Sequence, residues 1–212
     1  SYAARLAEVD EQLGALGVEF SRVIPGREQG VPVRDLDIEP GTQRGSQQGG
    51  LSTDRRTGRR NYTKRYPNPE QARSEIIANR LYQAAGINVP NTQPVLEGGE
   101  VVGVTSEVIE GLSQGVARDA GDGLVIDAWL ANWDVVGEAQ DNLLVGPQGE
   151  AVRLDQGGAL TMRAMGKPKG DRFTDTVEEI TTLREQNPEL AGVSPAQLRR
   201  GFVALESIAS QD

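Results

Sequence analysis

Acidic and amide side chains lie around two short apolar runs in the second half of the chain. Asp134 precedes the pair Asp141-Asn142, Asn142 leads into one apolar run, and Asp155 follows the next run and precedes two glycines. Carboxylate and amide oxygens suit a hard ion such as Mg²⁺, whose remaining coordination positions go to phosphates and water. The segment predicts a site for a metal and a nucleotide or, with equal weight, a β-hairpin with an acidic turn.

A lysine and a glutamate form a second candidate pair. Lys64 lies in the sequence RNYTKRY, residues 60–66, whose alternation predicts a strand, and Glu75 lies in the helix predicted to follow. A strand lysine held by a helix glutamate can direct an ammonium group at phosphates. Taken alone, the pair is interpreted as two solvated surface charges.

Glycines and arginines before Lys64 could meet a polyphosphate. The sequence GTQRGSQQGG, residues 41–50, is expected to be a flexible loop in which Gly45, Gly49 and Gly50 let backbone N–H groups approach phosphates. It contains neither a P-loop motif nor a GxGxxG motif, so the signal is weak. Residues 51–67 hold six cations against a single acid, which would suit a polyphosphate, and a solvated hairpin explains the arginines equally well.

Two lysines follow Asp155 in the sequence MGKPKG. Lys167 and Lys169 could hold an acidic or phosphorylated substrate group. The glycines and the proline around them favour an exposed, flexible loop instead.

The elements that position these residues predict a mixed α+β chain. Asn68-Pro69-Glu70 supplies the N-cap, first-turn proline and first-turn acid of a helix that ends near residue 85. Strands are predicted at 88–96 and 101–109. Further helices are predicted at 2–16, 124–133, 174–185 and 195–208, the last with Ser194 as its N-cap. Residues 18–40 are expected to form an extended linker.

Composition excludes several classes of function. A net charge of −9 argues against nucleic acid or an anionic membrane as the general partner, and no apolar run reaches the ~18 residues of a membrane span. A soluble, cytoplasmic protein is expected, with delivery into a host cell left open. The chain has no cysteine and no histidine, so acid–base chemistry must fall to Asp, Glu, Lys or Tyr, and any metal site must be oxygen-based.

The order of these parts resembles that of a bilobal kinase. Glycine-rich loop, Lys64, Glu75, two strands, a joint, Asp134 with Asn142, and Asp155-x-Gly follow one another over residues 41–170. The resemblance is to atypical bacterial kinases of the HipA-like type and, more remotely, to phosphoinositide kinases. It implies an N-terminal helix and linker (1–40), a β-rich N-lobe with one helix (41–110) and a compact helical C-lobe (111–212).

The resemblance also implies an activity and roles for single residues. The activity would be the transfer of phosphate from ATP, with Mg²⁺, to a hydroxyl acceptor, as in a serine/threonine-type kinase with a protein substrate. The residues assigned by the resemblance are Lys64, Glu75, Gly45, Gly49 and Gly50 at the phosphates, Glu107 and Ile109 at adenine, Asp134 as base, and Asn142 and Asp155 at the metal.

Several departures from the kinase pattern keep alternatives open. Asp134 precedes Asn142 by eight residues, whereas the usual catalytic loop has about four or five. Asp141 is therefore an alternative base, and the triplet that resembles DFG begins at Asp155 as Asp-Gln-Gly. These departures favour an inactive, pseudokinase-like interaction module of an effector or phage-associated protein. An ATP-grasp-type ligase is a third hypothesis.

Overall fold

The first half of the protein is built around a six-stranded sheet. The computed structural model describes residues 30–44, 47–174, 177 and 179–209. The strand order is β1-β5-β6-β4-β3-β2, and all neighbouring strands are antiparallel except β1 and β5. The strands are β1 (Val31–Pro32), β2 (Leu36–Ile38), β3 (Gln48–Asp54), β4 (Arg60–Arg65), β5 (Thr92–Glu97) and β6 (Glu100–Glu107), with a short 3₁₀ helix (Val33–Asp35) between β1 and β2.

Helix α1 (Pro69–Ala84) connects β4 to β5 and covers one face of the sheet. The Asn68 side chain accepts a hydrogen bond from the Glu70 N–H, so the predicted N-cap is confirmed. The helix is followed by Gly86, whose φ of +72° suits a residue without a Cβ. Ile77 and Leu81 of α1 pack with Val104 of β6 in the main core, and 10 of the 16 residues of this helix are buried.

The second half is mainly helical, so the chain is an α+β protein with a β-rich part followed by a helical part, as predicted. It contains helix α2 (Leu124–Trp129), the hairpin of β7 (Leu143–Val145) and β8 (Ala151–Arg153), and helices α3 (Glu179–Gln186), α4 (Pro188–Ala191) and α5 (Pro195–Ala209). The Gln197 N–H donates to Ser194 Oγ and the Ser194 N–H donates to Gln197 Oε1, which confirms this N-cap as a capping box. No described helix is long and apolar enough to cross a bilayer.

The structure differs from the sequence prediction at three places. Residues 31–38 add β1 and β2 to the sheet instead of forming a linker, and β3 already begins at Gln48, within the predicted flexible loop. Helix α2 ends at Trp129, four residues early, because Ala131 has a φ of +50° that no right-handed helix can contain. The helix predicted at 2–16 lies outside the described residues.

Among the described residues, three apolar clusters hold these elements together, and the smallest of them joins β1, β2 and β5. The main core joins α1 and β6 to Trp129 and Leu160 of the second half, and the second core joins α2, the hairpin, α3 and α4. The main core therefore contains residues from both sides of the lobe boundary predicted between 110 and 111, and that boundary stays a prediction.

A buried ion pair attaches the β7–β8 hairpin to α2. Arg153 Nε and Nη2 donate to the two carboxylate oxygens of Asp127, each at 2.7 Å, and Nη2 also donates to Ala120 O at 2.8 Å. Tyr82 Oη donates to Asp127 Oδ1 at 2.8 Å. A Cβ on Gly123 would lie 2.4 Å from the guanidinium group, so glycine is needed there for close approach. The bidentate geometry fixes the orientation of the hairpin relative to α2.

Candidate active site

Lys64 of β4 is buried between two carboxylates. Its Nζ lies 2.6 Å from Glu75 Oε1 and 2.9 Å from Asp155 Oδ1. The side chains of Lys64 and Glu75 are 9% and 2% exposed, so their interpretation as solvated surface charges is wrong. The structure thus brings together the two candidate groups of the sequence, the strand lysine with its helix glutamate and the aspartate that follows the hairpin.

Glycines on both neighbouring strands allow close approach to the backbone around Lys64. Gly49 of β3 pairs with Lys64, and a Cβ on it would lie 1.9 Å from Thr63 O. A Cβ on Gly103 of β6 would lie 2.1 Å from Lys64 O. Both glycines are therefore required by the packing of the strands.

The described glycines that were predicted to bind phosphate lie in a strand and not in the predicted loop. Gly49 and Gly50 belong to β3, not to a flexible loop, and a Cβ on Gly50 would lie 2.4 Å from Thr42 Oγ1. Gly45 lies outside the described residues. Contact between these glycines and phosphates stays a prediction.

Burial and the neighbouring charges shift the pKa values of both Lys64 and Glu75. Tyr66 Oη donates a hydrogen bond to Glu75 Oε2, and its ring centroid lies 5.8 Å from Lys64 Nζ. Burial lowers the pKa of Lys64, but the charges of Asp155 and Glu75 raise it further, and the result lies well above its ordinary value. Burial raises the pKa of Glu75, Lys64 lowers it and Asp155 raises it again, leaving it above the ordinary value. Lys64 is therefore a cation throughout the physiological range.

Asp155 is the more accessible of the two carboxylates around Lys64. Its Oδ1 accepts from the Gly157 N–H at 2.9 Å as well as from Lys64, and its side chain is 40% exposed. Burial raises the pKa of Asp155, but Lys64 and the Gly157 N–H together lower it below the ordinary value. A carboxylate that stays ionised and accessible can serve as a metal ligand.

Asp134 and Asn142 lie at the same end of the hairpin as Asp155. The Leu154 N–H donates to Asn142 O at 2.8 Å, which places Asn142 beside the strand end that leads into Asp155. Asn142 Nδ2 donates to Asp134 O at 2.9 Å and, more weakly, to Asp134 Oδ2 at 3.4 Å. A Cβ on Gly158 would lie 3.2 Å from Asp134 Cβ, so Asp134 packs against the segment that follows Asp155.

Asp134 also has the electrostatics expected of a proton acceptor. Burial raises its pKa, and the charges of Asp155 and then Asp141 raise it further. Asp141 itself is exposed. Of the two aspartates considered for the base, Asp134 is the one held against the Asp155 segment.

The oxygen donors at this end of the hairpin fit a magnesium ion that is bound together with phosphates. Within the described ranges, no group of three acidic side chains is clustered closely enough to hold a metal by itself. Mg²⁺ at a nucleotide site needs only one or two carboxylates, because phosphate and water oxygens complete its octahedral shell. Asp155, Asn142 and Asp134 supply that kind of donor set.

The two residues predicted to meet adenine lie at the end of β6 and just beyond it. The Glu107 N–H donates to Asn91 O at 2.9 Å, and Glu107 Oε2 accepts from Asn91 Nδ2 at 2.8 Å. The backbone of Ile109 makes no hydrogen bond to any other described residue. Ile109 is therefore the better placed of the two to offer backbone groups to a ligand.

Gln71 is a residue of this site that no sequence motif indicated. Its side chain is 1% exposed, and its Nε2 donates to Ala164 O at 2.8 Å and to Gly157 O at 3.3 Å. It lies four residues before Glu75, on the same face of α1. The same face of α1 thus contacts both Lys64 and the segment after Asp155. In the sequence, the only signal for Gln71 was its spacing of four residues from Glu75.

Lys169 is buried, so its interpretation as part of an exposed flexible loop is wrong. It is 3% exposed, because the chain turns back between Met162 and Pro168 and brings its ammonium group under the candidate site. Lys167 is exposed, as predicted.

Three of the four arginines in residues 51–63, before Lys64, are engaged with acids near β2. Arg55 lies 3.4 Å from Asp37, and Arg60 lies 3.5 Å from Glu39. Arg56 lies 3.4 Å from Asp54. The pairs of Arg55 and Arg60 are largely exposed, and Arg56 is half exposed beside the buried Asp54, which favours the solvated hairpin over a polyphosphate site for this segment.

Comparisons with known proteins leave the family of this chain open. No protein-family model matches the sequence, and no curated protein matches it. Among solved structures, the chain is similar to the Helicobacter pylori proinflammatory kinase CtkA, at 12% identity, over 86% of this chain and 95% of that chain, with a TM-score of 0.47. The function of this protein must therefore be inferred from its own side chains.

Proposed function

We propose that this protein is an ATP- and Mg²⁺-dependent phosphotransferase of the kinase type. The observation that carries the proposal is the position of Lys64 Nζ, 2.6 Å from a helix glutamate and 2.9 Å from Asp155. A strand lysine paired with a helix glutamate, next to a metal-binding aspartate, is the arrangement that protein kinases use to hold the phosphates of ATP. Burial of the lysine and glutamate supports a dedicated role for the pair, since burying unneeded charges is costly.

Each side chain has a defined task in this proposal. Lys64, held by Glu75, presents its ammonium group to phosphate oxygens, and Tyr66 fixes the orientation of Glu75. Asp155 and Asn142 would hold Mg²⁺, which supplies neutralisation of the phosphate charge when bound. Asp134 takes the proton from the acceptor hydroxyl, and its raised pKa makes it a stronger base than an ordinary aspartate. The protein contributes mainly positioning and electrostatics, as phosphoryl transfer requires.

The acceptor and the setting belong to the same proposal. A protein hydroxyl, in the manner of a serine/threonine-type kinase of the HipA-like type, is the acceptor we favour. The exposed Asp155 side of the site supports access for such a group. Location in the cytoplasm, with delivery into a host cell as the alternative, also stays a prediction.

A catalytically inactive, pseudokinase-like interaction module is the second candidate. The observation that favours it concerns the Asn142 side chain. Its amide nitrogen donates hydrogen bonds to Asp134, the proposed base, so this side chain is already engaged with the residue that should accept the proton. The spacing of eight residues between these two positions produces this arrangement. An inactive module would bind no nucleotide, or would bind ATP without turnover.

Thermal unfolding with and without Mg²⁺–ATP tests the proposal. A ligand at 100 times its dissociation constant stabilises the native state by about 2.7 kcal/mol, so a specific site must raise the midpoint. We expect this rise in the wild type and in Asp171→Ala, a control at an exposed aspartate, and its loss in Asp155→Ala. An equal rise in Asp155→Ala would refute the metal assignment. Absence of a rise in the wild type would refute ATP binding, and a rise without release of ADP would favour the inactive module.

A further inference from the structure

Lys169 is held by three backbone carbonyl groups beneath the candidate site. Its Nζ donates to Ala131 O, Gly158 O and Leu160 O, each at 2.7 Å. The ammonium group also lies 4.9 Å from the ring centroid of Trp133. The three N–H donors of one ammonium group thus match three converging carbonyl acceptors.

The groups around Lys169 belong to the two segments that carry Asp134 and Asp155. Ala131 lies three residues before Asp134 and Gly158 three residues after Asp155. Trp133 directly precedes Asp134. One side chain therefore contacts the segment of the proposed base and the segment of the proposed metal ligand at once.

The backbone is bent to bring these carbonyl groups together. Ala131 and Leu160 have φ values of +50° and +54°, in the left-handed region that residues with a Cβ rarely adopt. The Leu160 N–H also donates to Leu130 O at 2.6 Å, which joins the same two segments directly. Strained backbone persists only where surrounding contacts determine it, and the Lys169 ammonium group is such a contact.

We propose that Lys169 is a positioning residue that locks the Asp134 segment to the Asp155 segment. It acts as a tethered cation: without it, three buried carbonyl groups lose their donor, and the two segments separate or rotate. The distance between the base and the metal ligand then changes, although neither residue has been altered. This inference rests on the proposed function, because it concerns the same site.

Titration calorimetry with Mg²⁺–ATP, and with ATP alone, distinguishes positioning from simple stabilisation. We expect Lys169→Met, which keeps most of the unbranched side chain but has no donor, to weaken Mg²⁺–ATP binding by about 10- to 100-fold, as loss of a group that orients metal ligands does. Binding of ATP without Mg²⁺ should change little, because Lys64 and the sheet are unaltered. Lys167→Met is the matched control, since Lys167 is exposed two residues earlier, and it should behave as the wild type.

Chemical rescue tests whether the cation itself is needed. In Lys169→Ala, n-propylammonium replaces the missing part of the side chain and should recover Mg²⁺–ATP binding, whereas 1-propanol, which is uncharged, should not. Failure of the ammonium ion to restore binding, or equal restoration by the alcohol, would overturn the proposal. If Lys169→Ala does not fold, Lys169→Arg replaces it. No nitrogen of the planar guanidinium group carries three N–H donors, so one nitrogen cannot bond all three carbonyl groups and Mg²⁺–ATP binding must fall there too. Wild-type affinity in Lys169→Arg would overturn the proposal.

The outcomes separate this inference from the proposed function. Wild-type affinity in Lys169→Met, beside normal binding by the wild type, would overturn the positioning role alone. Absence of Mg²⁺–ATP binding by the wild type would overturn the proposed function and this inference with it.

Discussion

Replacing Lys64 by methionine tests the charge balance of the candidate site. Lys64 neutralises Glu75, whose side chain is 2% exposed, and Asp155, whose side chain is 40% exposed. Removing one partner of a buried ion pair costs about 3 to 5 kcal/mol, because the remaining charge is left without compensation. Water still reaches Asp155, so most of this cost comes from Glu75. We expect Lys64→Met to lose about 3 to 5 kcal/mol of unfolding free energy, and the double variant with Glu75→Gln to regain much of it.

The loss also depends on pH in a direction set by the two carboxyl groups. The pKa of Glu75 in the folded protein already lies above its ordinary 4.5, chiefly through burial, and removal of Lys64 raises it further. A group with a raised folded pKa stabilises fully below its unfolded pKa, and this contribution is lost as the pH rises through the folded pKa. Lys64→Met therefore becomes less destabilised as the pH falls toward the ordinary value for Glu75.

Asp155 makes the difference in unfolding free energy between the wild type and Lys64→Met change with pH in the same direction. Its folded pKa is depressed in the wild type, chiefly by Lys64 acting against burial. The wild type therefore has a stabilisation above the unfolded pKa of Asp155 and loses it as the pH falls through the folded pKa. The variant lacks Lys64 and hence most of this stabilisation, so the two proteins become more alike in acid.

Urea unfolding of both proteins between about pH 3 and pH 8 measures these effects, with the free energy taken from midpoint and slope. Lys167→Met controls for the loss of an exposed lysine. The charge assignment would be refuted by a Lys64→Met variant within about 1 kcal/mol of the wild type at neutral pH, below any buried-pair cost. A difference that stays constant with pH, or a double variant less stable than the single one, would refute it equally.

Two further substitutions test neighbouring contacts. In Gly157→Ala the new Cβ would lie 2.8 Å from Tyr66 Oη, so urea unfolding should show a loss of about 1 to 3 kcal/mol of unfolding free energy from overpacking. Gly192→Ala is the control, because the space around Gly192 is open. Equal stability of the two variants would contradict the described contact. Asp141→Asn removes a charge that raises the pKa of Asp134, so the acidic limb of the pH profile for ATP turnover should move to lower pH. An unmoved limb would argue that Asp134 is not the base.

Local sequence signals were sufficient for the elements that carry the site. The triplet that begins at Asn68 specifies the start of α1, and the alternation around Lys64 specifies β4, because capping and strand periodicity depend on near neighbours in the chain. The apolar runs after Asn142 and before Asp155 form the predicted hairpin. The prediction of an α+β fold with a helical second half depended on the same local patterns.

Contacts between distant segments could not be obtained in this way. The pair of Lys64 with Glu75 looked like surface charge, because burial depends on the sheet and on α1 folding over it. Lys169 stands among glycines and a proline, which indicate a loop, and its carbonyl partners are supplied by backbone that carries no side-chain signal. Gly49 was assigned to a flexible loop because its role in close strand packing depends on Thr63 of the next strand.

The attachment of the β7–β8 hairpin through Arg153 and Asp127 has a consequence for local unfolding. A two-stranded hairpin is marginally stable by itself, so this one persists through its ion pair with α2 and its packing on the second core. Asn142 and Asp155 lie at its end, whereas Lys64 and Glu75 lie on the six-stranded sheet and on α1. If the hairpin opened locally, Asn142 and Asp155 would be displaced, whereas Lys64 and Glu75 would keep their places on the sheet and on α1.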